Sequence, residues 1–322
     1  MTVPHLSVVV PVYNSQETLR ELVARLTATL ADVAHELIFV DDGSRDQSWT
    51  VLQELQAKHP QSMMAIQLMR NFGQHNALMC GLRHSHGAFV VTIDDDLQNP
   101  PEEIHTLLTA IESHGLDLVY GSYGVKQHQP WRNLGSWVVN RFFRTVFRVP
   151  VTVTSFRIMR RELVQSVLSY TLNFTFLDGL LAWNTQRIGE TPVAHLPRPR
   201  GTSGYSISKL LVLALNLFTN FSLLPLQLVS LVGFLTASAG MLTGLFYLLR
   251  FWLNEITVPG YTSIIISVLV MGGVQLLSLG IIGEYLGRLH LNVNRKPQYT
   301  IRNCAAQSSG KPALAELEAH HP

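Results

Sequence analysis

Two long runs without a charged residue limit what this chain can fold into more than any other feature. No Lys, Arg, Asp or Glu lies between Lys209 and Arg250, and none lies between Glu255 and Glu284. A helix of about 20 apolar residues can cross a bilayer, and both runs exceed that length. The first run is interrupted at Pro225, which separates an interfacial helix from a crossing. The sequence therefore predicts an amphipathic interfacial helix over 206–224 and two crossings, over 225–253 and 261–287.

The residues that flank the two predicted crossings indicate their orientation. Aromatic residues lie near the crossing ends and favour a membrane hairpin over a buried hairpin of a soluble protein: Tyr247, Trp252 and Tyr261. The connection 254–260 has one Glu and no basic residue, whereas basic residues precede and follow the pair: Arg198, Arg200, Lys209, Arg288, Arg295 and Lys296. Segments rich in Lys and Arg beside a transmembrane helix usually stay on the cytoplasmic side, so we expect both termini in the cytoplasm. We also expect no cleaved signal peptide, since the first residues lack a basic region and a cleavage site.

Strand and helix patterns alternate along the first 200 residues, as in an α/β domain. Five apolar runs are typical of buried strands: LSVVVPVY, ELIFVDD, MAIQLM, FVVTIDDD and LDLVYGS. About one amphipathic helix separates each run from the next, which predicts a mainly parallel sheet covered by helices. Ligands of such sheets bind beyond the carboxyl ends of the strands, so we expect the functional site there.

One of these strand ends combines Asp94, Asp95, Asp96 and Gln98. If the strand continues to Asp96, the side chains of Asp94 and Asp96 point one way and that of Asp95 the other. Two carboxylates and an amide oxygen are hard ligands that suit Mg²⁺ or Mn²⁺, and such an ion would also coordinate a substrate diphosphate. The alternative is a solvated acidic loop that caps the next helix.

Several other classes of function lose support from the sequence. Asp41 and Asp42 form a second acidic strand end, and an Asx-turn explains one of these residues more readily than both. An acidic edge of this kind does not suit a bare phosphate. The chain has neither G-x-G-x-x-G after its first strand nor a P-loop motif. A net charge of +2 does not favour nucleic acid as a partner. The two cysteines, Cys80 and Cys304, indicate neither a disulfide framework nor a zinc site.

Four motifs in the first half resemble glycosyltransferase family 2: VVVPVYN at 8–14, VDDGSRD at 40–46, RNFGQHNALMCG at 70–81 and DDDLQNPPEEI at 94–104. With SFRIMRRE at 155–162, the two apolar runs and GEYLGR at 283–288, the resemblance covers nearly the whole chain and narrows to the polyprenyl-phosphate glycosyltransferases. These include dolichyl-phosphate mannose synthases and undecaprenyl-phosphate glucosyltransferases. The RNFGQH and DLQNPPEEI runs are most similar to undecaprenyl-phosphate 4-deoxy-4-formamido-L-arabinose transferases.

The resemblance implies an α/β, Rossmann-like nucleotide-diphospho-sugar transferase domain followed by interfacial and transmembrane helices. The implied segments are a cytoplasmic catalytic domain at 1–200, an interfacial loop and helix at 201–224, a transmembrane hairpin at 225–288 and a cytoplasmic tail at 289–322. The implied reaction moves a sugar, with inversion, from a nucleotide-diphosphate donor such as a UDP-sugar to undecaprenyl phosphate. It would serve cell-envelope glycan or lipopolysaccharide modification at the bacterial inner membrane. The implied protein is a homo-oligomer, with a tetramer as one form.

The resemblance also assigns site residues, by position in this chain. The donor group is Pro11, Tyr13, Asp41, Asp42, Asp94 and Asp95. The ligands of Mg²⁺ or Mn²⁺ are Asp94, Asp96 and Gln98, and the acceptor-phosphate group is Arg132, Ser155 and Arg157. Asp94, Asp96 and Arg157 are expected to be catalytic. The metal would neutralise the charge that develops on the leaving diphosphate. The acceptor phosphate needs no strong base, because its second pKa of about 6 makes it an anion at pH 7.

The chain departs from the family at three positions. Ser155 stands where many members have an Asp that could act as a base or position the acceptor, and Asp178 is either its substitute or a polar helix-face residue. Ser15 stands in place of a Glu near the ribose, and Gly204 in place of a Lys or Arg. The missing cation could come from 131–149, which contains Arg132. This segment is predicted to be a basic amphipathic helix on the membrane surface, and the alternative is a core-facing helix with a solvated basic side.

Two competing functions fit the sequence less well. A processive polysaccharide synthase is disfavoured because QPWRN at 129–133 does not have the Q-x-x-R-W spacing and because two crossings are few for an export channel. A non-catalytic membrane scaffold would explain the three departures. The intact Asp42, Asp94, Asp96 and Gln98 favour an enzyme instead.

Overall fold

The structure is a computed structural model that describes residues 4–123, 151–171, 175–196, 224–253, 260–293 and 297–306. The chain divides into two compact units, which are Met1–Gly204 together with Pro297–Pro322, and Tyr205–Lys296. The boundaries of the four segments expected from the sequence remain predictions.

The first unit alternates strands and helices along most of its described length. Its strands are β1 (Leu6–Val12), β2 (His35–Asp41), β3 (Met63–Leu68), β4 (Phe89–Thr92), β5 (Leu118–Ser122), β6 (Arg157–Arg160), β7 (Ile188–Pro192) and β8 (Ile301–Ala305). Its helices are α1 (Leu19–Thr29), α2 (Ser48–Lys58), α3 (Gln74–His84), α4 (Ile104–Ser113), α5 (Arg161–Leu168) and α6 (Leu177–Asn184).

These strands form one sheet in the order β7-β5-β6-β4-β1-β2-β3-β8. β1 pairs in parallel with β2 and β4, β2 with β3, and β5 with β7. β6 runs antiparallel to β4 and β5, and β8 runs antiparallel to β3. The predicted α/β fold with a mainly parallel sheet is confirmed, and the two antiparallel strands are additions that the sequence did not predict.

The core explains why the apolar runs became strands. Every residue of β1 is buried, as expected for a strand whose two faces are both covered by helices. The helices bury one stripe each, and that of α1 consists of Leu19, Leu22, Val23 and Leu26. Val12 lies opposite Asp41 at the end of β1 and β2, and Val9 lies opposite Thr92 at the end of β4. The loops that follow these three strands therefore meet at one edge of the sheet.

The last described segment belongs to the same sheet. β8 pairs with β3 through partners such as Ile66 and Cys304. Before it, the Gln298 amide donates to the Tyr170 carbonyl oxygen at 3.2 Å and to Thr175 Oγ1 at 3.1 Å. The sequence assigned 289–322 to a tail and did not predict this strand, because the five residues IRNCA show no clear strand pattern.

The second unit contains two long helices, α7 (Leu224–Trp252) and α8 (Tyr261–Val293). Both predicted helices are therefore present, and Pro225 lies in the first turn of α7, where its missing N–H costs no hydrogen bond. Within the described residues, Val270–Gly287 of α8 is long and apolar enough to cross a membrane, whereas the apolar stretch of α7, Val229–Gly240, is shorter. Two crossings thus remain a prediction. The predicted interfacial helix at 206–224 lies outside the described residues apart from Leu224.

Candidate functional site

The candidate site lies where the loops after β1, β2 and β4 meet. The loop after β1 is bonded to the loop after β2 in both directions: the Asn14 N–H donates to Ser44 Oγ at 2.9 Å, and the Arg45 N–H donates to Asn14 Oδ1 at 2.8 Å. Asn14 adopts a left-handed φ of 54°, which Asn tolerates better than most residues. These bonds hold the half-exposed ring of Tyr13 beside the acidic loop after β4.

Asp42 is buried at the end of β2 and joins that strand to the start of α3. Its carboxylate accepts the N–H of Phe72 at 2.7 Å and that of Gly73 at 2.9 Å, a favourable place for an anion at a helix N-terminus. Burial raises the pKa of Asp42 to about 6, and the two N–H groups oppose that rise. Asp42 therefore fixes the RNFGQH segment, whether or not it also contacts a nucleoside.

The neighbouring Asp41 is fully buried and closes the turn after β2. Its carboxylate accepts the Ser44 N–H at 3.1 Å, as expected for an Asx-turn, and a long bond of 3.4 Å from the Gln67 amide. Burial raises the pKa of Asp41. Gly43 in this turn has a φ of +69°, and a Cβ there would lie 2.5 Å from the Arg70 carbonyl carbon. Asp41 thus has contacts typical of a structural residue.

Asp94 accepts hydrogen bonds from two distant parts of the chain on the two oxygens of its carboxylate. The Gln74 amide donates to Oδ1 at 2.8 Å, and the Ser155 hydroxyl donates to Oδ2 in a short bond. Gln74 is the first residue of α3, and Ser155 lies two residues before β6. Three separate parts of the chain therefore meet at this one carboxylate.

The rest of the acidic loop turns sharply after β4. The strand ends at Thr92, so the strand alternation predicted for 94–96 was wrong; the ladder with β6 stops there, and a left-handed φ of 60° at Leu97 bends the chain. Asp95 contacts the loop after β1, because its Oδ2 accepts the Tyr13 N–H at 3.1 Å. Burial raises the pKa of Asp95 to about 7.

Asp96 and Gln98 complete the loop. Asp96 Oδ1 accepts the Gln98 N–H at 3.1 Å, and the Gln98 amide nitrogen approaches the Leu196 carbonyl oxygen at 3.5 Å. In return, the Leu196 N–H donates to the Gln98 carbonyl oxygen at 2.8 Å. The segment after β7 is thereby held against the acidic loop.

The oxygen atoms in this loop suit Mg²⁺ or Mn²⁺. Among the residues that the structure describes, no three His, Cys, Asp or Glu side chains form a complete metal site. The predicted set supplies two carboxylates and an amide. In proteins Mg²⁺ is usually bound by one or two carboxylates and takes its remaining ligands from substrate phosphates and water. The donor set therefore fits a metal that binds together with a diphosphate.

Arg157 lies in a buried ion pair. Its side chain is 1% exposed and contacts the carboxylate of Asp178, itself 8% exposed, while its Nε donates to Thr92 Oγ1 at 3.1 Å. The Tyr120 hydroxyl donates to Asp178 Oδ1 at 2.9 Å. Asp178 is thus neither an exposed base nor a polar residue on a solvated helix face. The predicted contact of Arg157 with the acceptor phosphate stays a prediction, and its observed partners join β6, β4 and α6.

Sequence reasoning missed several residues at this edge of the sheet. It left Gln74 without a role, although the residue lies in a recognised motif, and it did not connect Thr92 or Tyr120 with Arg157. It also missed the stacked pair of Tyr123 and His195, whose ring centroids lie 4.1 Å apart. None of these contacts leaves a local signal, because each joins residues distant in sequence.

The remaining predicted site residues divide into two groups. Pro11 lies in β1 opposite Val40, and Tyr13 follows directly with 45% of its surface exposed. Arg132, the basic helix at 131–149 and Gly204 lie outside the described residues.

A family model and full-length relatives identify the family of this chain. The model of glycosyl transferase family 2 matches residues 7–168. Undecaprenyl-phosphate 4-deoxy-4-formamido-L-arabinose transferase of Pseudomonas aeruginosa (strain LESB58) is 38% identical over 302 residues, which cover 92% of this chain and 89% of the relative. An uncharacterized glycosyltransferase of Synechocystis is 34% identical and covers 92% of this chain and 94% of its own length. A crystal structure of glucosyl-3-phosphoglycerate synthase from Mycobacterium tuberculosis with Mn²⁺ and UDP-glucose is 20% identical, with a TM-score of 0.49, and covers 67% of this chain and 77% of that one.

Proposed function

The chain belongs to glycosyl transferase family 2 and is a glycosyltransferase, and on that premise we propose that it transfers a sugar from a nucleotide-diphosphate donor to the phosphate of a polyprenyl lipid. The observation that carries this proposal is the extent of the similarity. Relatives named undecaprenyl-phosphate 4-deoxy-4-formamido-L-arabinose transferases match 92% of the chain, including α7 and α8. Undecaprenyl phosphate is therefore the acceptor to test first, and a UDP-sugar the donor.

The arrangement of the sheet edge supports a donor site there. The exposed Tyr13 ring could stack on a base beside Asp42, and the loop of Asp94, Asp96 and Gln98 could face the diphosphate. A bound Mg²⁺ or Mn²⁺ would supply Lewis-acid stabilisation of the leaving diphosphate. Asp94, Asp96 and Gln98 would hold it. The acceptor phosphate arrives as an anion, so inversion requires no base in place of the family's Asp.

The second unit supports a membrane location. Large apolar side chains on α7 and α8 are exposed in the structure, among them Phe234, Trp252 and Leu276, at 69%, 80% and 72%. Contiguous apolar surface of this kind is rare on soluble proteins and suits contact with lipid. With the basic flanks, it supports two crossings in a bacterial inner membrane and a catalytic unit in the cytoplasm, where a water-soluble nucleotide-sugar is available.

The test is a screen of nucleotide-sugars against undecaprenyl phosphate with the full-length protein in detergent. The lipid product is identified by mass spectrometry and thin-layer chromatography. We expect one sugar on one lipid phosphate; a growing polysaccharide would instead indicate a processive synthase. No lipid product with any donor would refute the proposal.

Matched substitutions then test the site. Asp96→Asn should abolish transfer and Asp94→Asn should reduce it strongly, because each removes a charge from the proposed metal ligands. Asp32→Asn is the control, since Asp32 is an exposed acid between α1 and β2, at the opposite edge of the sheet. Full turnover of Asp96→Asn in Mg²⁺ would remove the metal assignment.

A further inference from the structure

Gln74 and Ser155 both donate hydrogen bonds to the carboxylate of Asp94. Each donates to a different oxygen, Gln74 at 2.8 Å to Oδ1 and Ser155 to Oδ2. A carboxylate on a loop can rotate about its terminal torsion, which has only a broad preference of its own. Two donors on opposite oxygens remove that freedom. The plane of the Asp94 carboxylate is therefore set by α3 and by the segment before β6.

Further hydrogen bonds fix the segments that carry these two donors. Gln74 begins α3 directly after Phe72 and Gly73, whose N–H groups are bound by the buried carboxylate of Asp42. Gly73 has a φ of +93°, a conformation that residues with a side chain rarely adopt. The position of Gln74 is thus tied to the end of β2, where the nucleoside is expected.

Ser155 is held in a similar way from the other side. Its carbonyl oxygen accepts the Thr92 hydroxyl at 2.7 Å, and Thr92 Oγ1 in turn accepts the Nε of Arg157 at 3.1 Å. The buried pair of Arg157 and Asp178 therefore supports the segment that carries Ser155. A chain of contacts leads from that pair through Thr92 and Ser155 to Asp94.

With the proposed function as its basis, we infer that Gln74 and Ser155 are positioning residues that hold Asp94 for a divalent cation bound with the nucleotide diphosphate. Groups that orient a metal ligand typically change metal affinity by 10–100-fold when they are removed. The inference gives Ser155 a role at the metal and donor end, in place of the acceptor contact expected from the sequence. It also gives the glutamine of the RNFGQH segment a function.

The experiment measures Mn²⁺ binding to the full-length protein in detergent by electron paramagnetic resonance, with Mn²⁺ alone and with UDP. The variants are Gln74→Met, which keeps the length and removes the donor, and Ser155→Ala. Ser155→Thr keeps the hydroxyl and is the conservative counterpart. Gln56→Met, on the half-buried side of α2 away from the site, controls for the chemical change.

We expect Gln74→Met and Ser155→Ala each to weaken Mn²⁺ binding about tenfold, and Ser155→Thr and Gln56→Met to bind like wild type. The double variant should lose less than the product of the two single losses, because both act on one carboxylate. In the transfer assay, the same two variants should need more Mg²⁺ for half-maximal rate while the acceptor KM stays unchanged.

Two results would overturn the inference: unchanged Mn²⁺ affinity in Gln74→Met and Ser155→Ala, or no Mn²⁺ binding by the wild type. If Gln74→Met does not fold, Gln74→Asn, whose amide is one methylene too short, carries the same expectation of weaker binding. The proposed function fails separately. A wild-type protein that binds Mn²⁺ and UDP but makes no lipid product would refute sugar transfer to undecaprenyl phosphate and leave the roles of Gln74 and Ser155 standing.

Discussion

The buried pair of Arg157 and Asp178 gives the sharpest prediction for stability. The two side chains are 1% and 8% exposed, so removal of one leaves the other charged and without its ionic partner in the interior. Such a change costs about 3–5 kcal/mol. For a unit of this size each kcal/mol lowers Tm by about 2–4 °C. Arg157→Met and Asp178→Leu should therefore each lower Tm by roughly 6–20 °C.

The double variant should lose less stability than the two single variants lose in sum. With both charges replaced by apolar groups of similar size, the main remaining cost is that of the Tyr120 hydroxyl, which loses its acceptor, about 1–3 kcal/mol. The Thr92 hydroxyl still donates to the Ser155 carbonyl oxygen. Independent effects would instead add to about 6–10 kcal/mol. The assay monitors by circular dichroism the thermal unfolding, in detergent, of the wild type, the two single variants and the double variant.

The same double variant also tests the acceptor role of Arg157. If the guanidinium binds the lipid phosphate, a folded Arg157→Met/Asp178→Leu protein should show a raised KM for undecaprenyl phosphate and an unchanged KM for the nucleotide-sugar. If the pair only supports the fold, acceptor kinetics should stay near wild type. Additive losses of stability, or single variants as stable as wild type, would refute the assignment of a coupled buried pair.

Three further predictions concern the turn after β2, the predicted membrane topology and the segment before β8. Gly43→Ala should destabilise the protein by at least about 1 kcal/mol more than Gly115→Ala. Both glycines have positive φ, but of the two only Gly43 would place its new Cβ against backbone, at 2.5 Å. Equal losses of Tm in the two variants would contradict this. A cysteine introduced by Thr257→Cys should react with an impermeant thiol reagent outside intact cells and Cys304 should not; the reverse would invert the topology. Gln298→Ala should cost about 1–3 kcal/mol of unfolding free energy, since its buried amide has two acceptors, and an unchanged Tm would argue against the described packing of this segment.

Much of the fold could be predicted because parallel strands leave a clear trace in a sequence. A strand such as β1, covered on both faces, is apolar at nearly every position, and the helices between such strands need one apolar stripe. β6 and β8 leave no such trace, since RIMR and IRNCA mix charged and apolar residues over four and five positions. Their places in the sheet depend on pairing with β4, β5 and β3, which a local pattern does not encode.

The candidate site could be predicted by residue type more readily than by contact. The position of Asp94 beyond a strand followed from the run FVVTIDDD, although the strand itself stops at Thr92. The bonds from Gln74 and Ser155 to Asp94 span 20 and 61 positions, and that of Arg157 to Asp178 depends on the rotation of α6. Such contacts are fixed by tertiary packing and become visible only in the structure.

The position of β8 has a consequence for how the protein is made. The edge of β3 that β8 covers is completed by residues synthesised after both α7 and α8. During translation, β1 to β7 can assemble first, as N-terminal elements generally do, while β3 still presents an open edge. A chaperone or a neighbouring nascent chain can reach that edge until the two hydrophobic helices have left the ribosome. The sheet of the first unit can therefore be completed only after both helices have been synthesised.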